Sequence, residues 1–293
     1  MQAVLSASSK SALDQLAIDS AVRRALDEDI GAADLTAELV PPAQMACASI
    51  VCREPAVICG LPWVESCFRQ LAANTQIDWQ VAEGEQVMAG RILCRITGSA
   101  RALLTAERCA LNFLQTLSAT ATLTRRYVDA VAGTGTQIMD TRKTLPGLRL
   151  AQKYAVVMGG GVNQRLGLDD GILIKENHIA AAGSIEAVLQ AARRISAEVP
   201  VQIEVETLTE LKSALAAGAN LILLDNFTLA QLREAVAINA GRALLEASGN
   251  IHLDNVREVA LTGVDRISIG SLTKNVQAID LSMRFAAAFS PDE

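Results

Sequence analysis

Between Asp140 and His178 the chain reads DTRKTLPGLRLAQKYAVVMGGGVNQRLGLDDGILIKENH. This one stretch gathers Arg142, Lys143, Arg149, Lys153, Arg165 and Lys175 in a protein whose net charge is −6. Guanidinium forks bind carboxylates in pairs of hydrogen bonds, and lysines bind phosphates as point charges. The cations follow short apolar runs and alternate with glycines, which let a backbone approach a ligand closely. That pattern suits an anion site better than a solvated helix face. Further along, Glu204 and Asp225 each close an apolar run, where a carboxylate suits a hydroxyl or a divalent cation. Ser248-Gly249-Asn250 and Gly270-Ser271 are glycine turns of the kind whose N–H groups hold a terminal phosphate. One ligand chemistry answers all three groups: a phosphorylated sugar carrying pyrophosphate, bound with Mg2+. Spacing alone leaves two other readings open. The carboxylates also serve as ion-pair partners for the lysines, and Lys143 or Lys175 would serve as the Schiff-base lysine of a barrel aldolase.

These residues need a scaffold that brings strand ends together. Apolar runs bounded by turn residues occur at 137–139, 172–174, 201–205, 221–224, 243–245 and 267–269, and they read as buried strands. Helical periodicity fills 184–195, 208–217, 229–240 and 256–261 between the later ones. Alternating strand and helix implies βαβ units and a parallel sheet. Nearly every run ends in polar or glycine residues, which places chemistry at the C-terminal rim of an α/β barrel. An open doubly wound sheet would gather it at one switch point. Upstream, residues 14–28 and 61–72 read as helices, 46–59 and 81–96 as short strands with turns, and 103–131 as one long helix or two helices broken near Ser118. The expected organisation is an α+β domain over 1–117, an α/β barrel over 118–277, and a C-terminal helix within 278–293 that packs back on the first domain.

The 293 residues suffice for two cores, and 51% hydrophobic with 3% aromatic residues describes an aliphatic α/β interior. Acidic balance and few aromatics argue against a nucleic-acid partner. The N-terminus lacks the apolar stretch of a signal peptide, and no run is long enough to span a membrane, so a cytoplasmic protein is expected. Cys47, Cys52, Cys59, Cys67, Cys94 and Cys109 form no C-x-x-C pair and the chain has only two histidines, so the thiols read as small buried hydrophobes.

The motifs EDIGAADLT, TAERCALNFLQTLSATAT, DTRKTLPGLR, GGGVNQRLGL, ILIKENHI, IEVE, LLDNF, EASGNI and IGSLT together resemble the quinolinate phosphoribosyltransferase family along most of the chain. The resemblance implies an open-faced α+β N-terminal domain, an incomplete α/β barrel and a homodimer with active sites shared between subunits. It implies reaction of quinolinate with phosphoribosyl pyrophosphate to give nicotinate mononucleotide, CO2 and pyrophosphate. Carried over by motif, Arg142, Arg165 and Lys175 bind the quinolinate carboxylates, joined by the partner subunit's Arg108, and Lys143 reaches between the two substrates. Glu204 and Asp225 hold ribose hydroxyls and Mg2+, while Ser248, Gly249 and Gly270 receive the 5′-phosphate. The family usually has histidine before Arg165, where this chain has Gln164. An amide there donates to a carboxylate without bringing charge, which leaves room for another pyridine carboxylate as substrate. A paralogue without turnover, serving as a metabolite-binding or molybdate-transport-associated protein, is the alternative from another functional class.

Overall fold

The computed structural model describes residues 15–195 and 198–286. They form two compact units, one made of the described residues up to Ala119 together with those from Gln277, the other running from Thr120 to Val276. In chain order the first unit contains α1 (Gln15–Ile30), β1 (Met45–Cys52), β2 (Ala56–Val57), α2 (Leu61–Leu71), β3 (Gln76–Trp79), β4 (Gln86–Val87) and β5 (Ile92–Ser99). The helix α3 (Ala100–Ala130) follows without a break at Ser118 and contributes its later turns to the second unit. Burial in α1 falls on Ile18, Val22 and Leu26, one stripe at helical spacing. In α2 it falls on Leu61, Trp63, Val64, Ser66, Cys67 and Phe68.

The second unit contains β6 (Gln137–Met139), α4 (Arg149–Met158), β7 (Ile172–Ile174), α5 (Glu176–Ala182), α6 (Ile185–Ile195), β8 (Val201–Val205), α7 (Leu208–Ala216), β9 (Leu221–Asp225), α8 (Leu229–Asn239), β10 (Leu244–Ser248), α9 (Val256–Ala260), β11 (Arg266–Ser268) and α10 (Ser271–Lys274). Capping boxes start α7 (Thr207 with Glu210) and α8 (Thr228 with Gln231), satisfying backbone donors that have no partner inside the helix. No helix among the described residues is long and apolar enough to cross a membrane.

The last strand, β12 (Leu281–Phe285), returns to the first unit. The sequence pattern suggests a helix over 278–289, and here the structure differs. Leu281 and Met283 are buried and alternate with Ser282 and Arg284, a period of two. The outer edge of β1 offers that strand a full ladder, from Ala48↔Phe285 to Cys52↔Leu281. Residues 287–293, including the end of the expected helix, lie outside the described residues. The resulting antiparallel sheet has the order β12-β1-β5-β3, with alternate positions of β1 buried.

In the second unit all the sheet pairings are parallel and the order is β6-β11-β10-β9-β8-β7. The first strand pairs with the last, as in a closed barrel, and the order never reverses as it does in a doubly wound sheet. No ladder joins β6 to β7, so the barrel is incomplete there. Val162 covers part of that edge through a parallel bridge to Met139. Outward positions of the strands (Ile138, Ile203, Val205, Ile222, Leu224, Leu245, Ala247 and Ile267) pack with helix residues such as Leu189, Leu211, Leu232 and Val256. Because strand side chains alternate, Gln202, Glu204, Asp225, Glu246, Ser248 and Ser268 must face the barrel interior.

Candidate active site

Each barrel strand hands its expected site residue to the same rim. Thr141, Arg142 and Lys143 follow β6, Lys175 follows β7, Glu204 and Asp225 lie at the ends of β8 and β9, Ser248 and Gly249 end β10, and Gly270 follows β11. Arg165 reaches the rim by another route. Val162 N–H donates to the Ile138 carbonyl at 2.8 Å and its carbonyl accepts from Asp140 N–H at 3.2 Å, so residues 163–165 continue beside the end of β6.

Arg142 and Arg165 lie close enough to repel, and burial together with Arg142 holds the Arg165 guanidinium below its usual value. Arg165 Nη1 donates to the Gly171 carbonyl at 2.8 Å. The Nε atoms of both arginines are buried without a protein partner. Unpaired buried donors are costly, and two of them on neighbouring guanidinium groups suit an anion. At the end of β7, Lys175 Nζ contacts both Glu204 oxygens, at 3.1 and 2.9 Å. The ion-pair reading of Glu204 therefore holds in the structure, while Asp225 accepts from the Asn226 amide, at 2.8 Å.

Two glycines at the rim are set by close approach. A Cβ on Gly270 would sit 3.1 Å from Lys143 Cδ and 3.9 Å from its Nζ, so the Lys143 side chain lies across the turn after β11. Gly249 has φ +98°, and a Cβ there would fall 2.1 Å from Asn226 Oδ1. The turns after β9 and β10 interlock further through Asn226 N–H donating to the Ser248 carbonyl at 2.9 Å.

Lys153 does not join the cations at the rim. It is 1% exposed and donates to Asp140 Oδ1 at 2.5 Å. Asp140 also accepts from Gln164 N–H at 2.9 Å and, with the Asn163 amide oriented as its neighbours require, at Oδ2 from Asn163 at 2.6 Å. Burial pushes the Asp140 carboxyl up to about 6 despite the pull of Lys153. The glycine triplet also has a different task from the one its sequence suggests. A Cβ on Gly159 would fall 2.5 Å from the Ala121 carbonyl, and one on Gly161 would fall 2.8 Å from Thr124 Cγ2 and from Val156 Cγ1. The triplet admits helix α3, not a ligand.

Gln164 turns inward. Its Nε2 donates to Gln202 Oε1 and to Glu246 Oε1, both at 3.3 Å, and Gln202 Nε2 donates to Glu246 Oε2 at 2.8 Å. Glu246 is 1% exposed, and its burial raises the carboxyl above the ordinary range against hydrogen bonds from Gln202, Ser268 and Gln164. Gln202 carries no sequence signal beyond its inward phase, and Glu246 shows only as a strand-end acid. Arg108 lies exposed on α3 in the first unit, next to the part-buried Glu107. The six cysteines are free, and all but Cys47 are buried; burial raises the Cys109 thiol to about 11, away from nucleophilic use.

For a divalent cation, Glu204 and Asp225 offer hard oxygen donors facing one interior from neighbouring strands. No group of three or more His, Cys, Asp or Glu side chains arranged to hold a metal occurs among the described residues. That donor set fits Mg2+, which takes one or two carboxylates and fills its remaining positions with water and substrate oxygens.

Comparison with known proteins matches residues 34–118 to the family described as "Quinolinate phosphoribosyl transferase, N-terminal domain" and residues 120–284 to its C-terminal domain. The nicotinate-nucleotide pyrophosphorylase [carboxylating] of Mycobacterium leprae is 44% identical over 269 residues, covering 89% of this chain and 95% of the relative. The probable enzyme of the same name from Bacillus subtilis is 40% identical over 257 residues, covering 87% and 89%. Among solved structures, the nicotinate-nucleotide pyrophosphorylase from Francisella tularensis superimposes with a TM-score of 0.92 at 42% identity, covering 94% of this chain and 98% of that one.

Proposed function

The chain belongs to the quinolinate phosphoribosyl transferase family, and we infer from that premise that it transfers a phosphoribosyl group from phosphoribosyl pyrophosphate to quinolinate with decarboxylation. The observation that carries the reading is the pair of buried, unpartnered Nε atoms on the neighbouring Arg142 and Arg165. Two guanidinium groups at one place suit a ligand with two carboxylates.

In the reaction, the pyridine nitrogen lone pair attacks C1 of the ribose as the C1–O bond to pyrophosphate breaks and its electrons leave with pyrophosphate. The ring nitrogen is then cationic. It stabilises the electron pair left on the adjacent carbon when the C–CO2 bond breaks, and a proton takes that place, giving nicotinate mononucleotide, CO2 and pyrophosphate. Arg142, Arg165 and Lys175 hold the two carboxylates and so aim the nitrogen, with Arg108 of the partner subunit completing the cluster in a homodimer. Lys143, lying across Gly270, sits between the substrates and faces the departing pyrophosphate. Glu204 and Asp225 accept from ribose hydroxyls and stabilise the positive charge that develops on the ribose. Lys175 must release Glu204 for both assignments to operate. Backbone N–H groups at Ser248, Gly249 and Gly270 receive the 5′-phosphate. Mg2+, held by Glu204 and Asp225 directly or through water, would neutralise charge on pyrophosphate. The free, buried thiols accord with a reducing cytoplasm.

The test is substrate choice. Quinolinate should release pyrophosphate from phosphoribosyl pyrophosphate, whereas nicotinate, lacking the second carboxylate, should do so poorly. Comparable turnover of both would show that the arginines do not read two carboxylates.

A further inference from the structure

Residue 164 is held from every side. Its N–H donates to Asp140 Oδ1 at 2.9 Å and its carbonyl accepts from Lys153 Nζ at 2.8 Å. Its side-chain amide spends one hydrogen on Gln202 and the other on Glu246. The second amide, Gln202, repeats the polarity by donating to the other Glu246 oxygen. The result is a closed three-member ring in which Gln164 donates to Gln202 and both amides donate to Glu246. Both amide orientations follow from that acceptor, because turning either one round would set oxygen against oxygen.

The arrangement has a consequence for specificity. With both N–H groups of the Gln164 amide spent inward, the side chain has only an acceptor oxygen left, the wrong polarity for a substrate carboxylate. The next residue is Arg165, whose buried Nε lacks a partner. We propose that Gln164, Gln202 and Glu246 are positioning residues for Arg165: Glu246 anchors the two amides, the amides and the Asp140–Lys153 pair fix the peptide at 164, and that peptide sets where the Arg165 guanidinium meets the substrate carboxylate. None of the three touches the substrate. The position before Arg165 then contributes to substrate recognition through the backbone, and a fully buried acid on β10 tunes carboxylate binding from beneath. Facing Glu246 are Gln164, Gln202 and Ser268, with Arg266 and Asp140 as the nearby charges. The proposal rests on the assignment of Arg165 to a quinolinate carboxylate.

The experiment compares Arg165→Ala, Gln164→Ala, Gln202→Ala, Glu246→Gln and the Gln164→Ala/Glu246→Gln double variant. Each is measured for KM towards quinolinate, KM towards phosphoribosyl pyrophosphate, and thermal midpoint. Losing one such hydrogen bond corresponds to roughly a fivefold change. Each ring variant should raise the quinolinate KM by about that factor, leave the phosphoribosyl pyrophosphate KM within about twofold, and lower the midpoint by only a few degrees, the loss of one buried hydrogen bond. The double variant should be no worse than the more impaired single variant, because both act through one ring. Gln164→Ala and Gln202→Ala retain the buried acid and keep the test open should Glu246→Gln fold poorly. A raised quinolinate KM in Gln164→Ala with normal values in Glu246→Gln and Gln202→Ala would overturn the proposal, since residue 164 would then touch the substrate itself. Both KM values and the midpoint shifting together would also overturn it, by showing a purely structural role. If Arg165→Ala leaves the quinolinate KM unchanged, the assignment of Arg165 fails, and the proposal built on it falls with it.

Discussion

Replacing Lys153 by Met should make stability depend on pH in a defined direction. In the native protein Asp140 is fully buried and accepts three hydrogen bonds, one of them from the only cation among its partners, Lys153. Even with that cation its carboxyl is raised from 3.8 to about 6, mainly by desolvation. A native value above the unfolded one means that the folded state binds the extra proton. This carboxyl therefore contributes most below pH 4 and loses about 3 kcal/mol as pH rises through 6. Lys153→Met removes the largest influence holding the value down, so Asp140 should titrate higher still. Between the two values the variant carries a proton that the wild type does not, and the stability gap should widen by about 1.4 kcal/mol per pH unit. At pH 8 the gap should reach roughly 3–5 kcal/mol, the usual cost of stranding one member of a buried ion pair. Urea unfolding followed by circular dichroism at pH 5, 6, 7 and 8 measures it. Adding Asp140→Asn to Lys153→Met should recover part of the loss at pH 8. A gap that stays constant from pH 5 to 8, or a variant as stable as wild type at pH 8, would refute the reasoning.

Other expectations follow from the same geometry. Gly161→Ala should cost roughly 1–3 kcal/mol in chemical denaturation, because its Cβ would lie 2.8 Å from both Thr124 and Val156; an unchanged midpoint would mean α3 yields there. Arg108→Ala and Lys143→Ala should each be nearly inactive alone, yet co-refolded in equal amounts they should return about a quarter of wild-type activity, since half the dimers are mixed and each has one intact site. No recovery, with mixed dimers shown to be present, would mean Arg108 acts within its own chain. Glu204→Gln should raise the KM for phosphoribosyl pyrophosphate more than that for quinolinate, as measured by initial rates; the reverse order would move Glu204 to the pyridine side.

The barrel was legible because its strands are short apolar runs that stop at polar residues: β6, β7 and β8 fall where the runs at 137–139, 172–174 and 201–205 lie. The rim was legible for the same reason, since the residue that stops a run is the one the barrel presents. What failed to show depends on partners far along the chain. Leu281–Phe285 becomes a strand because β1 has a free edge, a fact no local window contains. Lys153 reads as one more cation until Asp140 is seen beside it in the core. The glycine triplet reads as a ligand turn until α3 is packed against it. Gln164 lies one residue before Arg165, but its orientation is decided by Gln202 and Glu246, on two other strands. Helix α4 lies in a stretch to which the sequence pattern assigns no element, between the Asp140–Lys143 cations and the glycine triplet.

The most direct test of the central claim is to follow each atom of the reaction at once. Purified protein is incubated with Mg2+, phosphoribosyl pyrophosphate and quinolinate labelled in the carboxyl next to the ring nitrogen. Nicotinate mononucleotide, pyrophosphate and labelled CO2 should appear in equal amounts, with no label left in the nucleotide. Pyrophosphate release without labelled CO2, or no quinolinate-dependent nucleotide at all from folded protein, would contradict the assignment.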